Sequence, residues 1–175
     1  MKKLLVVAAI ALGLSSVNAQ ETSFGVTGGL NLLTVKLSTD TTPSVNRSTT
    51  GTGYYAGFFA DFTVSDKFHV QPELLFTSSY DNGTSANTIA MPIMAKYYVK
   101  DNFSVQAGPM LDLVVDDASP LVNKFGVGLA AGLGYDISEK VFVNARYSFG
   151  LSNRVDSDIA TSKFDYLNVG FGFRF

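Results

Sequence analysis

The chain has 175 residues with 13 basic and 15 acidic side chains, one histidine and no cysteine. That length makes one domain, the lack of any basic cluster argues against a nucleic-acid partner, and the lack of cysteine leaves burial and backbone pairing to hold an exported fold without disulfides. With His69 alone and no thiolate, transition-metal sites built on those ligands are excluded, and no cofactor is expected.

At the N-terminus, Lys2 and Lys3 precede an apolar stretch from Leu4 to Leu14 and the small-residue ending Val17-Asn18-Ala19. These are the three regions of a secretory signal peptide, so residues 1–19 read as signal and residues 20–175 as the mature domain. Without Lys2 and Lys3, 11 basic residues face 15 acidic ones, a net of about −4. No later run approaches the ~18 apolar residues of a membrane helix, so a mature chain that crosses a bilayer must do so as a closed β-barrel.

The rest of the chain has the segmentation that such a barrel needs. Three short polar turns, Ser65-Asp66-Lys67, Lys100-Asp101-Asn102 and Ser138-Glu139-Lys140, alternate with four longer polar stretches at 38–52, 80–87, 116–124 and 153–163. The predicted fold is therefore all-β, an eight-stranded antiparallel transmembrane up-and-down barrel. Its strands are expected near 23–37, 53–64, 68–79, 88–99, 103–115, 125–137, 141–152 and 164–175, each long enough for the ~9–11 tilted residues that cross a bilayer. Short turns face the periplasm in such barrels and long loops face outward.

Each strand alternates at period 2. One face carries Tyr54, Phe58 and Phe62, then Ile89, Met91 and Ile93, then Val127, Leu129 and Leu133, then Val143, Tyr147 and Phe149. The other face carries few but charged residues: Asp61, Glu73, Lys96, Asp112, Asp136, Arg146 and Arg174, with Asn31, Gln71, Gln106, Asn144, Asn168 and the glycines 126, 128, 132 and 134. A soluble lipocalin-like barrel would put the apolar set inside; a countable, mixed-sign polar set fits the narrow lumen of an eight-stranded membrane barrel better. Phe68, Phe103 and Phe175 then belong to the periplasmic rim, and Tyr54, Tyr80 and Tyr166 to the outer one. Centring the outer loop near residue 84 puts Glu73 level with Lys96, the ion pair expected to anchor the lumen. The glycines of the sixth strand make room for large inward side chains.

The final strand alternates to the last residue, with Phe171, Phe173 and Phe175 on its apolar side, and is read as the insertion signal. Pro72, Pro92 and Pro109 fit a barrel badly, because proline cannot donate to the ladder and a closed barrel has no free edge. If residue 101 centres the turn, Pro92 and Pro109 lie almost opposite each other, and a shared irregularity such as bulges is expected, either a structural kink or a small site near Glu73. Asp81, Asp116, Asp117, Asp156 and Asp158 fall on the outer loops, either as solvated acids or as Ca²⁺ ligands. His69, one residue past an inner turn, is a rim or lumen residue rather than a catalytic base.

Motifs along the strands resemble the PorT-like outer-membrane β-barrel proteins of Gram-negative bacteria, best represented in the Bacteroidota. They are Phe24-Gly25-Val26-Thr27-Gly28-Gly29-Leu30-Asn31, Phe68-His69-Val70-Gln71-Pro72-Glu73-Leu74-Leu75-Phe76, Met91-Pro92-Ile93 with Lys96-Tyr97-Tyr98, Gln106-Ala107-Gly108-Pro109, Gly132-Leu133-Gly134-Tyr135, Arg146-Tyr147-Ser148-Phe149-Gly150-Leu151 and Gly170-Phe171-Gly172-Phe173-Arg174-Phe175. The resemblance implies a monomeric barrel in contact with outer-membrane lipid, folded by the barrel-assembly machinery. Two functions follow: a structural or interaction barrel with a filled lumen and outward loops, or a small-solute pore. An enzyme is disfavoured because no nucleophile and base can be matched.

Overall fold

The computed structural model describes residues 21–39, 45–81, 83–116, 123–155 and 160–175. The segment read as a signal peptide lies outside them, as do Asp117, Asp156 and Asp158. Eight strands run β1 (Glu21–Thr39), β2 (Val45–Ser65), β3 (Phe68–Asp81), β4 (Thr84–Lys100), β5 (Phe103–Val114), β6 (Phe125–Asp136), β7 (Val141–Gly150) and β8 (Ala160–Arg174). Each pairs antiparallel with its sequence neighbour and β8 closes on β1, an up-and-down barrel.

The short turns fall where polar residues interrupt the apolar alternation. At the first, the Phe68 N–H donates to Ser65 Oγ at 3.2 Å; at the third, the Val141 N–H donates to Ser138 Oγ at 3.1 Å. Register shifts of one residue accompany two of these turns, between Thr63 and Ser65 and between Tyr98 and Lys100.

Two of the expected outer loops are largely ladder instead, and a third, 153–163, gives residues 160–163 to the start of β8. The β1–β2 pairing continues through Val35↔Thr49 and Leu37↔Arg47 to Thr39↔Val45, and the β3–β4 pairing runs to Asp81↔Thr84, where Gly83 sits at φ 83°. Thr34, Thr49, Thr50 and Thr52 explain the difference. β-branched residues favour extended backbone in water as well as in lipid, so polarity marks where the wall leaves the bilayer and not where the strand stops. β1 and β2 reach 19 and 21 residues, about twice the bilayer requirement, and project beyond the outer rim.

The two faces separate as the alternation requires. Leu30 is 71% exposed, Phe58 65% and Leu129 52%, whereas inward Lys96 is 2% and Asp61 3% exposed. Only lipid makes that distribution favourable, and an apolar-inside soluble barrel is excluded. Tyr54 and Tyr80 form the expected outer aromatic pair, with ring centroids 6.4 Å apart. Tyr166 does not join them; it points into the lumen and is 2% exposed. Its neighbours Leu167 and Asp165 already hold the outward positions, so period 2 leaves Tyr166 only the inner face.

The prolines interrupt the ladder without bulging it. β2–β3 pairing stops at Phe59↔Glu73 and resumes at Phe62↔Val70; β3–β4 stops at Leu75↔Ala90 and resumes at Pro72↔Ile93; β4–β5 stops at Pro92↔Met110 and resumes at Ala95↔Ala107. Register is the same on both sides of every gap. The missing proline N–H removes bonds locally while flanking pairs hold the alignment, and the result is one diagonal seam across β2 to β5. Pro92 pairs with Met110, the neighbour of Pro109, so the two prolines lie almost opposite each other, as a turn centred on residue 101 requires.

Candidate functional site in the barrel lumen

Four inward acids meet four bases one to one. Lys96 Nζ donates to Asp61 Oδ2 at 2.9 Å; the Arg146 guanidinium donates to both Glu73 oxygens at 2.8 and 2.7 Å; Arg174 Nη2 donates to Asp136 Oδ1 at 2.8 Å; and Arg154 Nη2 donates to Asp112. Seven of these eight residues were legible as inward-facing charges. Their pairing was not, because Glu73 takes Arg146 and not Lys96.

Two physical reasons account for the correction. The β3–β4 hairpin is centred between residues 82 and 83, so Lys96 lies opposite His69, four positions along β3 from Glu73. More generally, inward side chains on adjacent strands run side by side up the wall, while long charged chains reach across the lumen. Asp61 and Lys96 come from β2 and β4, Glu73 and Arg146 from β3 and β7, and Asp136 and Arg174 from β6 and β8.

The Gln71 amide joins the inner pairs into a chain that His69 extends. His69 Nδ1 lies 2.8 Å from Asp61 Oδ1, Lys96 also donates to Gln71 Oε1 at 2.9 Å, and Gln71 Nε2 donates to Glu73 Oε1 at 2.7 Å. The network thus runs His69, Asp61, Lys96, Gln71, Glu73, Arg146 without a break. Phe142, buried on β7, takes Lys96 Nζ at 5.5 Å and the Arg174 guanidinium at 4.7 Å from its ring centroid, so one aromatic ring serves both cations. Tyr98 closes the inner end, donating to Asp136 Oδ2 at 2.8 Å.

Above this network Leu33, Tyr55, Leu75, Ala90, Met110 and Tyr166 form an apolar layer. Over that layer sits the outer closure. Arg154, in the connection after β7 and 2% exposed, turns inward onto Asp112, donates to the Lys124 carbonyl at 3.0 Å and lies 4.8 Å over the Phe164 ring. Tyr166 Oη donates to the same Asp112 carboxylate at 3.2 Å. Backbone bonds hold the segment down: the Asn123 N–H donates to the Arg154 carbonyl and the Arg154 N–H to the Ser162 carbonyl, both at 2.8 Å.

Sequence reasoning missed Arg154 because it lies in a polar stretch read as an outer loop. The signal was in the charge count, since four inward acids with three inward bases leave one acid unmatched in a medium that does not tolerate it. Glycine supplies the space: a Cβ on Gly126 would run into the Arg154 guanidinium, and one on Gly134 into Gln106. That bears out the expected role for Gly126 and Gly134; at Gly128 and Gly132 a Cβ would meet the β7 backbone first. Asp116 is engaged with Asn87, accepting from its backbone N–H at 2.6 Å and from its side-chain amide at 2.8 Å.

Toward the periplasm the lumen opens into a vestibule of about 770 Å³, with Asp61, His69, Tyr98, Asp136 and Arg174 lining it. His69 stacks beside Tyr98 with ring centroids 4.9 Å apart, which places it in the lumen at the inner mouth. The lumen is therefore open below, bridged by charge at mid-height and covered by Arg154 above.

Known proteins fit this architecture. The structure resembles Neisserial surface protein A at 15% identity, covering 89% of this chain and 99% of that one with a TM-score of 0.52. It also resembles Ail, the attachment invasion locus protein of Yersinia pestis, crystallised with the heparin analogue sucrose octasulfate, at 12% identity, 89% and 99% coverage and a TM-score of 0.50. At these identities the likeness shows the fold alone. No curated protein matches the sequence. The family model described as the outer membrane protein beta-barrel domain matches residues 18–156, most of the chain, and with the closed eight-stranded ring and its apolar exterior it shows that this protein belongs to that family and resides in the outer membrane.

Proposed function

We propose that this protein is a non-conducting outer-membrane barrel with a structural or interaction role, its lumen serving as a polar core and its projecting β1–β2 and β3–β4 hairpins as the parts that meet partners outside the cell. The observation that carries this reading is the pairing of all four inward acids with four bases, closed above by Arg154 on Asp112. Eight strands enclose a space just wide enough for side chains to fill, and here those side chains are cross-linked by charge. The motif order along the strands supports a PorT-like member of the family, with residues 1–19 as its export signal and Phe171, Phe173 and Phe175 as the strand read by the assembly machinery. No residue is assigned a catalytic role: His69 lies at the inner mouth beside Asp61, and no nucleophile is matched to it.

The alternative, a small-solute pore, draws on the vestibule at the inner mouth of the lumen. Single-channel recording in planar bilayers separates the two. The unmodified barrel should give no unitary steps, and Arg154→Ala, which removes the outer cover but leaves the Glu73–Arg146 bridge, should add none. Stable unitary currents from the unmodified protein would overturn the proposal in favour of the pore.

A further inference from the structure

On the lipid-facing side of β1, β2 and β8 the outward residues change character in step with height. β1 presents Leu30, Leu32, Thr34 and Lys36; their β8 register partners are Val169, Leu167, Asp165 and Lys163. Beside them on β2, Thr52 pairs with Leu32 and Thr50 with Thr34. The lower rungs form an apolar groove of about 190 Å³ in the outer wall, lined by Leu30, Leu32, Thr52, Leu167 and Val169. Such a volume accepts one segment of hydrocarbon chain.

Above the groove lies a hydroxyl rung, with Thr34 Oγ1 and Thr50 Oγ1 3.1 Å apart. Above that lies a cationic rung. Lys36 and Lys163 are direct register partners, about 13 Å beyond Leu32 at ~3.3 Å per residue. Lys36 is held in place: its Nζ donates to Asp165 Oδ2 at 2.5 Å, and Asp165 is fixed by Tyr147 Oη at 2.8 Å and the Gly150 N–H at 3.0 Å. Half of the Lys36 side chain remains exposed, at 52%, and among the described residues Lys163 has no acidic partner. The rung thus keeps one positive charge in excess at the level where headgroups of the outer leaflet lie.

The geometry points to a binding site for one phosphorylated glycolipid of the outer leaflet. Its acyl chain lies in the groove, its hydroxylated sugar against Thr34 and Thr50, and its phosphate on Lys36 and Lys163. The order chain, hydroxyl, anion along the wall matches the order of groups along such a lipid. The source is fixed by position, because the lysines are at the outer end of the strands and out of reach of inner-leaflet headgroups.

The test is native mass spectrometry of the refolded full-length barrel released from detergent, with lipid A as the probe and the same lipid stripped of phosphate as its control. One lipid A per barrel should be retained, with the dephosphorylated lipid held about tenfold less well. Lys36→Gln with Lys163→Gln should lower lipid A retention by at least about tenfold, as expected for two lost cation contacts, and Thr52→Phe, which fills the groove while leaving both lysines, should lower it too. Lys67→Gln with Lys100→Gln removes the same charge at the periplasmic end and should change nothing. Equal retention of both lipids, unchanged retention in the Lys36/Lys163 variant, or equal loss in the Lys67/Lys100 variant would each overturn the assignment. Lys36, Thr52 and Lys163 are on the outward side of the wall and Lys67 and Lys100 at the periplasmic turns, and heat-modified gel mobility reports that each variant is folded.

Discussion

Glu73 and Arg146 should behave as one energetic unit. Both side chains are nearly inaccessible, at 2% and 4%, and two charge-assisted hydrogen bonds of 2.7 and 2.8 Å join them across the lumen from β3 to β7. Glu73→Gln keeps the shape and a weaker acceptor but strands the Arg146 cation, and Arg146→Met strands the Glu73 anion with only the Gln71 amide to compensate. Removing one partner of a buried pair costs about 3–5 kcal/mol, so each single variant should lose that much. The double variant buries neither charge and should lose far less than the two single losses together, with a coupling energy of about 2–3 kcal/mol. The measurement is a double-mutant cycle on urea unfolding of the barrel in detergent micelles or lipid vesicles. A parallel cycle with Glu73→Gln and Lys96→Met bears on the network, because those two touch only through Gln71 and should couple by less than about 1 kcal/mol. Additive losses for Glu73 and Arg146, within about 0.5 kcal/mol, would refute the direct bridge and with it the description of the lumen as closed by paired charge.

Two further outcomes are expected. Phe175 is 72% exposed and contacts Phe173 edge-on with centroids 6.1 Å apart, so Phe175→Ser should change unfolding free energy little while sharply reducing the fraction assembled in the outer membrane; assembly at the unmodified level would show that the final strand is not the insertion signal. Leu129→Arg and Val143→Arg, on exposed outward positions of β6 and β7, should each cost about 2–4 kcal/mol in a bilayer, and spin labels at 127, 129 and 133 should be accessible to oxygen and protected from polar reagents; the reverse accessibility would turn the barrel inside out.

Period 2 read along the chain was enough to decide which side of each strand faces lipid, because a strand offers only two faces and hydrocarbon rejects charge on one of them. Leu129 and Lys96 could be assigned to outside and inside on that ground alone. Short polar turns likewise set the number of strands and their order, since a connection of two to four residues leaves antiparallel neighbours as the only option. The ends of β1 to β4 were not legible: Thr49 and Thr50 are polar and extended at once, and only the pairing across the hairpin distinguishes ladder from loop. Nor were the partners of the inward charges. Which base meets Glu73 depends on the position of the hairpin centre and on strands 73 residues apart being brought face to face by closure of the ring. Arg154 shows the same limit, since a residue in a polar connection becomes a lumen residue only when the backbone of that connection pairs with residues 123 and 162. Local alternation is a property of one strand and survives in the sequence; contacts across the lumen are a property of the closed barrel and exist only once it has formed.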